Sequence, residues 1–377
     1  MMWFNNRTCG PLFPQVKEAF CSYSDFFGSL ENIRSLLAKA EESIRALTGC
    51  SPEDYVFRFL GNGGHPASSL FPAVFLNSLR HQGKNGFLIP ATAEKQYIAT
   101  VKNMQIYGSQ YDWVPCTDGI IKQEALIASL SPRTLLFSFS LVNGLTGIIQ
   151  PWEEIFDICK QRDILIHVDI SHGLGKIPLT PLNTQADFIS FSGISLNGIP
   201  GTGGIFIKKK LFRNLQIFFP DFNETHPSQT LAGNIALGET ALCLAKESDF
   251  INLEINRLKH LLEDRIIDRI PTASIVFEGI DQVPDVTVVH FEGIAAESLA
   301  FILNQNQIYP ALGNNIFQSL PEILQASGIS ATQAFSCLSF ALSPFIIEKD
   351  IASAITHIAG GVDKLMSHIT EDIRYDF

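Results

Sequence analysis

The chain has 377 residues, of which 46% are hydrophobic, so it is long enough to form one large domain with a smaller companion around a sizeable core. Its 27 lysine and arginine residues stand against 38 aspartate and glutamate residues, which gives a formal net charge of -11. This balance argues against a nucleic-acid partner, because a phosphate backbone requires a basic surface.

The cysteines and the amino terminus indicate the cellular compartment of the protein. The seven cysteines are odd in number and form no CxxC pair, which is typical of reduced thiols in a cytosolic protein. The segment from Met1 to Arg7 lacks the basic and apolar regions of a signal peptide. No apolar run reaches the length that crosses a bilayer. We therefore expect a cytoplasmic protein that does not associate with membranes.

Helix and strand patterns alternate over the first part of the chain. Predicted helices cover residues 30–47, 68–80, 94–103, 122–129 and 151–162. Predicted strands cover residues 55–60, 87–89, 111–114, 134–140, 164–169 and 188–191, and a further strand ending at Lys208 follows a glycine-rich loop. This alternation indicates an α/β fold whose mostly parallel sheet is covered by helices on both faces.

The pattern changes after about Gly233. Long predicted helices at residues 236–246 and 250–269 are followed by short strands at 274–277 and 286–290, a helix at 296–304 and a last helix at 349–368. We expect this part to form a smaller α+β domain from residues 1–15 and 236–377, beside a large domain of residues 16–235.

Asp169 ends a predicted buried strand, where ligands bind in open α/β sheets. A buried unpaired carboxylate costs several kcal/mol, so we expect a cationic or N–H partner. Two other interpretations are open. Asp169 could cap the turn that follows, or it could join His167 and His172 in a metal site, although no cysteine or glutamate supports such a site and a lone strand histidine is more often a core residue.

A glycine turn at residues 61–64 joins a predicted strand to a predicted helix. Such a turn presents backbone N–H groups to an anion, and His65 follows it directly. Ser192, at the end of strand 188–191, offers a hydroxyl to the same site. The alternative is an ordinary turn between a strand and a helix.

The order of these segments carries a resemblance to a known family. The glycine turn, residues 143–179 and the stretch "ADFISFSGISLNGIPGTGGIFIK" at 186–208 together resemble a cysteine desulfurase of the class V aminotransferase family, which are pyridoxal-phosphate enzymes of fold type I. The resemblance spans nearly the whole chain. It implies a homodimer with active sites at the subunit interface and a cofactor held as a Schiff base on a lysine.

Several positions match cofactor-binding residues of that family. The resemblance places Asp169 at the carboxylate that pairs with the ring nitrogen, Ser192 at a phosphate-binding serine, and Gly63 and Gly64 in the phosphate turn. Other cofactor positions carry different residues, because His65 replaces the first residue of a Thr-Glu pair, Lys95 the stacking histidine and His172 a glutamine.

The differences from the family pattern include the residues that carry out the family's reaction. The family pattern Ser-x-His-Lys-x-x-Gly-Pro-x-Gly starts here at Ser192, with Ile194 at the histidine and Ser195 at the Schiff-base lysine. A serine hydroxyl cannot form an imine, and no lysine lies between Lys176 and Lys208.

Three further positions also lack residues that the family's reaction requires. Gly144 stands at an asparagine, residues 310–317 align with the catalytic cysteine loop without containing a cysteine, and Ser339 stands at the substrate-binding arginine. Together these substitutions predict loss of the desulfurase reaction.

Three hypotheses follow from this pattern. The chain is a degenerate, dimeric homolog that acts by binding, with an active desulfurase or an iron–sulfur assembly component as its partner. Alternatively, its chemistry is relocated, with Lys95 forming an imine from the opposite face of the cofactor. A third hypothesis is noncovalent binding of pyridoxal phosphate or pyridoxamine phosphate between Asp169 and Ser192, with His172 as the base.

Overall fold

A computed structural model describes residues 2–6, 10–24, 29–61, 66–81, 83–180, 182–219, 231–313 and 317–375. Its strands are β1 Met2–Phe4, β2 Tyr55–Phe59, β3 Gly86–Pro90, β4 Gln110–Val114, β5 Cys116–Thr117, β6 Ile120–Ile121, β7 Thr134–Ser140, β8 Leu165–Asp169, β9 Phe188–Ser192, β10 Gly203–Lys208, β11 Ala273–Val276, β12 Val286–Phe291, β13 Ile308–Pro310 and β14 Cys337–Ala341.

The α-helices in the same ranges are α1 Pro14–Ser24, α2 Leu30–Thr48, α3 Ala67–His81, α4 Lys95–Met104, α5 Gln123–Ser129, α6 Trp152–Gln161, α7 Leu182–Gln185, α8 Lys209–Leu215, α9 Leu231–Arg269, α10 Ala296–Gln305, α11 Leu320–Ala326, α12 Ala331–Ala334 and α13 Glu348–Tyr375. Short 3-10 turns cover Gln105–Tyr107, Gly193–Leu196 and Gln216–Phe218. Within the described ranges, no helix combines the length and apolar composition that crossing a bilayer requires.

The main sheet has seven strands in the order β2-β10-β9-β8-β7-β3-β4. The five strands from β9 to β4 are parallel, and β10 is antiparallel to both of its neighbours. Phe87 and Ile89 pack into the core beneath α3 and α4, whereas Leu88 packs into the core on the opposite face. The predicted α/β fold, a mostly parallel sheet covered by helices, is therefore confirmed.

One predicted boundary is wrong. The sequence predicts two helices at 236–246 and 250–269, but the structure has a single 39-residue helix, α9. The polar residues Lys246, Glu247 and Asp249 interrupt the apolar pattern, and all three are exposed on the helix surface. Because none of them is glycine or proline, they change the polarity of the helix face without ending the helix.

A second sheet, in the order β11-β12-β14, is antiparallel and packs against α9, α10 and α13. The amino-terminal strand β1 pairs with β13, and Phe4 is buried in the same core as Leu338 and Ile358. Residues close to the amino terminus thus pack with the last third of the chain. The division into domains at residues 15 and 235 stays a prediction.

Candidate functional site

Asp169 lies at the carboxyl end of β8 and is 2% exposed. Its Oδ1 accepts a hydrogen bond from the Ser171 backbone N–H at 2.9 Å, and its Oδ2 accepts one from the Tyr97 hydroxyl at 2.6 Å. The Ser190 hydroxyl lies 3.4 Å from the same Oδ2. The expected N–H partner is therefore present, and the bond from Ser171 also makes Asp169 the cap of its turn.

Tyr97 was not singled out by the sequence. It is the third residue of α4, its side chain is 3% exposed, and its ring lies 5.7 Å from that of His167. Burial raises the pKa of Tyr97 well above its ordinary value, and the negative charge of Asp169 raises it further. The hydroxyl therefore stays protonated and donates to the carboxylate.

His167 bridges two serine hydroxyls inside the sheet. Its Nδ1 lies 2.8 Å from Ser138 Oγ and its Nε2 lies 2.9 Å from Ser190 Oγ. Burial lowers the pKa of His167 to about 4, so the ring is neutral near pH 7. The described part of the chain contains no group of three or more His, Cys, Asp or Glu side chains that could hold a metal ion. This arrangement fits a hydrogen-bonded core histidine.

Glu94 and His172 form a second buried contact beside Asp169. Glu94 Oε1 lies 3.5 Å from His172 Nε2, and both side chains are nearly inaccessible to solvent. Burial raises the pKa of Glu94, and the charge of Asp169 raises it further. The site therefore favours the neutral form of Glu94.

Phe317 fills the space next to His172. It is 1% exposed, and its ring centroid lies 5.3 Å from that of His172. A Cβ atom added at Gly144 would collide with the Phe317 ring and would lie 2.7 Å from His172 Nε2. Gly144 is therefore the residue that leaves room for the Phe317 ring.

The segment that carries Phe317 is anchored to the loop before α4. Gln318 Nε2 donates to the carbonyl oxygens of Ala91 and Ala93, at 2.8 and 2.9 Å. Three residues after Phe317, the Leu320 N–H donates to the Leu312 carbonyl at 2.7 Å, which closes the loop that carries Phe317. These bonds hold the Phe317 side chain in place between His172 and Gly144.

Ser192 and Ser195 have different surroundings. Ser192 ends β9, and its backbone N–H donates to Ser171 Oγ at 2.9 Å. Ser195 lies in the Gly193–Leu196 turn, and its hydroxyl makes no hydrogen bond to the described residues. It lines a cavity of about 20 Å³, the volume of about one water molecule, with Lys176 and Asp285.

The remaining predicted site residues are Gly63, Gly64, His65 and Lys95. Gly63, Gly64 and His65 fall outside the described residues. Lys95 is exposed at the first position of α4, and its charge contributes to the lowered pKa of Glu322, after the larger effect of hydrogen bonds from Ser319. Lys95 lies two residues before Tyr97, which corresponds to about 200° around a helix. The structure therefore brings Asp169, His172 and Ser192 together, but not Lys95.

Comparison with known sequences decides the family. The sequence profile described as aminotransferase class-V matches residues 28–341. The chain belongs to the class-V aminotransferase family. Relatives of this class-V chain include a cysteine desulfurase of Trichormus azollae, 25% identical over 385 residues that cover 97% of the chain and 94% of the relative. Cysteine desulfurase IscS of Rickettsia typhi is 25% identical over 390 residues, 97% of the chain and 92% of the relative.

Solved structures show the same fold. A NifS-like protein superposes with a TM-score of 0.81 at 20% identity, covering 97% of the class-V chain and all of that protein. A NifS-like protein from Rickettsia africae superposes with a TM-score of 0.80 at 17% identity, covering 96% and 99% of the two chains. The architecture is that of the pyridoxal-phosphate enzymes of fold type I, as the resemblance implied.

The described residues of this class-V chain do not fit an imine-bound pyridoxal phosphate. Ser195 carries no amine, and the Oδ2 atom of Asp169 already accepts a hydrogen bond from the Tyr97 hydroxyl. The Phe317 ring takes up the space beside His172 and Gly144.

Proposed function

We propose that the chain is a degenerate relative of cysteine desulfurases that lacks desulfurase activity and acts as a scaffold or partner in sulfur or iron–sulfur metabolism. The hydrogen bond from Tyr97 to Asp169 carries this proposal, because the carboxylate expected to pair with a cofactor nitrogen is bound to the protein's own hydroxyl. Ser195, at the expected imine-forming position, supports it.

The desulfurase reaction requires four groups, which are an imine-forming amine, a free carboxylate at the ring nitrogen, a nucleophilic thiol and a cation for the substrate carboxylate. At the corresponding positions the chain has Ser195, a Tyr97-bonded Asp169, a cysteine-free segment 310–317 and Ser339. Ser339 is buried, and its hydroxyl donates to the Leu145 carbonyl at 2.7 Å. These residues supply neither an imine-forming amine nor a nucleophilic thiol.

The test is the cofactor content of the purified protein, measured by absorption spectroscopy and mass spectrometry, together with sulfide release from cysteine in the presence of added pyridoxal phosphate. We expect no aldimine absorption band and no sulfide release. A cysteine desulfurase assayed in parallel provides the positive control. An aldimine band that grows on adding pyridoxal phosphate, accompanied by sulfide release, would overturn the proposal.

The alternative hypothesis is an enzyme with relocated chemistry, and it is tested by chemical trapping of an imine on Lys95. Lys95 is exposed and lies on the far side of α4 from Tyr97, which gives this hypothesis little support. Borohydride reduction with pyridoxal phosphate, followed by peptide mass spectrometry, would reveal a modified Lys95 that is absent from a Lys95→Gln variant. Calorimetry with pyridoxal phosphate and pyridoxamine phosphate tests noncovalent binding, for which His172 would be the base.

The remaining expectations are also proposals. We infer that the chain forms a homodimer in the cytoplasm, because its relatives over almost its whole length are named cysteine desulfurases and the resemblance to that family implies dimers. Light scattering measures the oligomeric state. Co-purification with an active cysteine desulfurase tests the partner, and limited proteolysis tests the domain division near residues 15 and 235.

A further inference from the structure

A groove outside the candidate site runs between the second half of α9 and strand β11. It has a volume of about 870 Å³. The helix contributes residues between Lys259 and Asp268, and residues between Ala273 and Gln282 form the opposite wall. None of the residues discussed for the candidate site lines this groove, so it calls for a separate explanation.

Strand β11 presents an open edge at this groove. It is the terminal strand of the sheet β11-β12-β14, and Ser274 and Val276 lie opposite His290 and Val288. On the middle strand β12, the N–H of Phe291 donates to the Ser336 carbonyl, next to β14, so the N–H groups of the alternate residues His290 and Val288 face β11. Alternation along the ladder therefore directs Ser274 and Val276 toward β12 and leaves the backbone N–H and C=O of Ile275 facing outward. An outer edge of this kind is a template for another strand.

The walls of the groove are strongly acidic. Five carboxylate side chains and one lysine line it, together with His260, whose Nδ1 lies 3.1 Å from Glu263. The carboxylates belong to Glu263, Asp264, Asp268, Glu278 and Asp281. A concave surface with this excess of one sign concentrates ligands of the opposite charge.

Lys259 offers hydrogen-bond donors inside the groove. Its side chain is 6% exposed and lines the groove, yet it makes no hydrogen bond or ion pair with the described residues. The ammonium nitrogen at its tip reaches solvent at the groove surface. It can therefore donate to the carbonyl oxygens of a main chain lying in the groove, since the ammonium carries three donors.

The two walls also agree in length. At 1.5 Å per residue, the helix from Lys259 to Asp268 spans about 14 Å. At 3.3 Å per residue, the strand from Ala273 to Phe277 spans about 13 Å. A segment of about four extended residues would therefore run the length of both walls.

We propose that this groove binds an extended, basic segment of another protein, which adds to the outer edge of β11 as a further strand. Its lysine or arginine side chains pair with the carboxylates of the groove, and its backbone bonds to Ile275 and Lys259. Because the groove does not depend on the cofactor site, this binding proposal holds whether or not the proposed loss of desulfurase activity is correct.

The charge requirement is tested with a labelled peptide of about eight residues in which lysine and threonine alternate, measured by fluorescence anisotropy. We expect saturable binding that weakens with added salt, and no binding of the matched glutamate–threonine peptide. The double variant Asp264→Asn/Asp268→Asn should weaken binding about tenfold. The control, Asp112→Asn/Glu124→Gln, makes the same charge change at exposed sites elsewhere and should have no effect. Equal losses in both variants would exclude the groove.

The strand geometry is tested on the peptide itself, so that protein folding does not affect the result. Methylation of the backbone nitrogens that face β11 should abolish binding, whereas methylation of the alternate nitrogens should leave it unchanged. On the protein, Ile275→Pro removes the outward-facing donor together with the packing of the Ile275 side chain against the core of the second sheet, and it should reduce affinity at least about tenfold relative to Ile275→Val. Equal binding by all the methylated peptides would overturn strand addition.

Discussion

At the residue scale, the bond between Tyr97 and Asp169 should be stronger than an ordinary tyrosine bond, because its acceptor is a buried carboxylate. Tyr97→Phe leaves the Oδ2 atom of Asp169 without its closest donor and should lower the free energy of unfolding by about 2 kcal/mol. A matched control is Tyr55→Phe, since the buried Tyr55 hydroxyl donates to a neutral carbonyl, that of Ala186, at 2.5 Å. We expect Tyr55→Phe to lower the free energy of unfolding by about 1 kcal/mol, as measured by urea unfolding. A larger loss at Tyr55 would contradict this account of the site.

His167 should make stability depend on pH. Its pKa is lowered from 6.5 to about 4 in the folded protein, so on acidification the unfolded chain takes up a proton first. The contribution of the neutral ring is fully present above pH 6.5 and is lost as pH falls to 4, a loss of about 3 kcal/mol.

Urea unfolding between pH 4 and 6.5 should therefore show a smaller pH dependence in a His167→Asn variant than in the natural protein. Glu94, whose pKa is raised, contributes in the opposite direction, since it favours folding more as pH falls. Identical slopes in the two proteins would show that His167 does not titrate as described.

At the element scale, the continuity of α9 can be tested where the sequence predicted a break. Asp249 is exposed within this helix, so Asp249→Pro removes a helical hydrogen bond without disturbing a core contact. We expect a loss of about 3 kcal/mol in chemical unfolding. Gln123→Pro, at the first residue of α5, is the control and should be tolerated. Little change for Asp249→Pro would favour two separate helices.

The elements that the sequence predicted are those whose pattern is local. Strands β7 and β8 were found within one residue because buried parallel strands are continuous apolar runs. Helix α1 and strand β14 were not predicted. Strand β14 has only five residues, and the polar Ser339 interrupts its apolar pattern. The Ser339 hydroxyl donates to the Leu145 carbonyl, which is distant in sequence.

The same distinction holds in the candidate site. Asp169 and Ser192 could be placed because each ends a recognisable strand. Tyr97 and Phe317 could not, since each meets the site across a long sequence separation and looks like an ordinary core residue in its own segment. Long-range contacts of this kind leave no local periodicity to read.

At the scale of the whole molecule, a buried ion pair joins the two main parts of the fold. Lys176, which follows β8, lies 3.0 Å from Asp285, which precedes β12, and Asp285 is almost inaccessible to solvent. Lys176→Met leaves that carboxylate buried without its cation and should cost about 3–5 kcal/mol. Thermal unfolding measures the loss, and the double variant Lys176→Met/Asp285→Asn should recover part of it.

The exposed pair Arg257–Glu348 provides the comparison, because its separation of 3.1 Å is similar and it joins α9 to α13. Arg257→Met should leave the unfolding midpoint almost unchanged, since exposed ion pairs contribute little to stability. If the two lysine and arginine variants behaved alike, the link between the two parts would depend on packing instead of charge.

On the proposal that desulfurase activity has been lost, the position of Phe317 would make that loss hard to reverse. A lysine introduced at Ser195 would start from a cavity of about 20 Å³ beside Lys176 and Asp285, while Phe317 still filled the space next to Gly144. Removing that ring first would open a void in a packed interior, at a cost of about 3–5 kcal/mol. On the same proposal, each single step back toward catalysis would yield a less stable protein that still lacks activity.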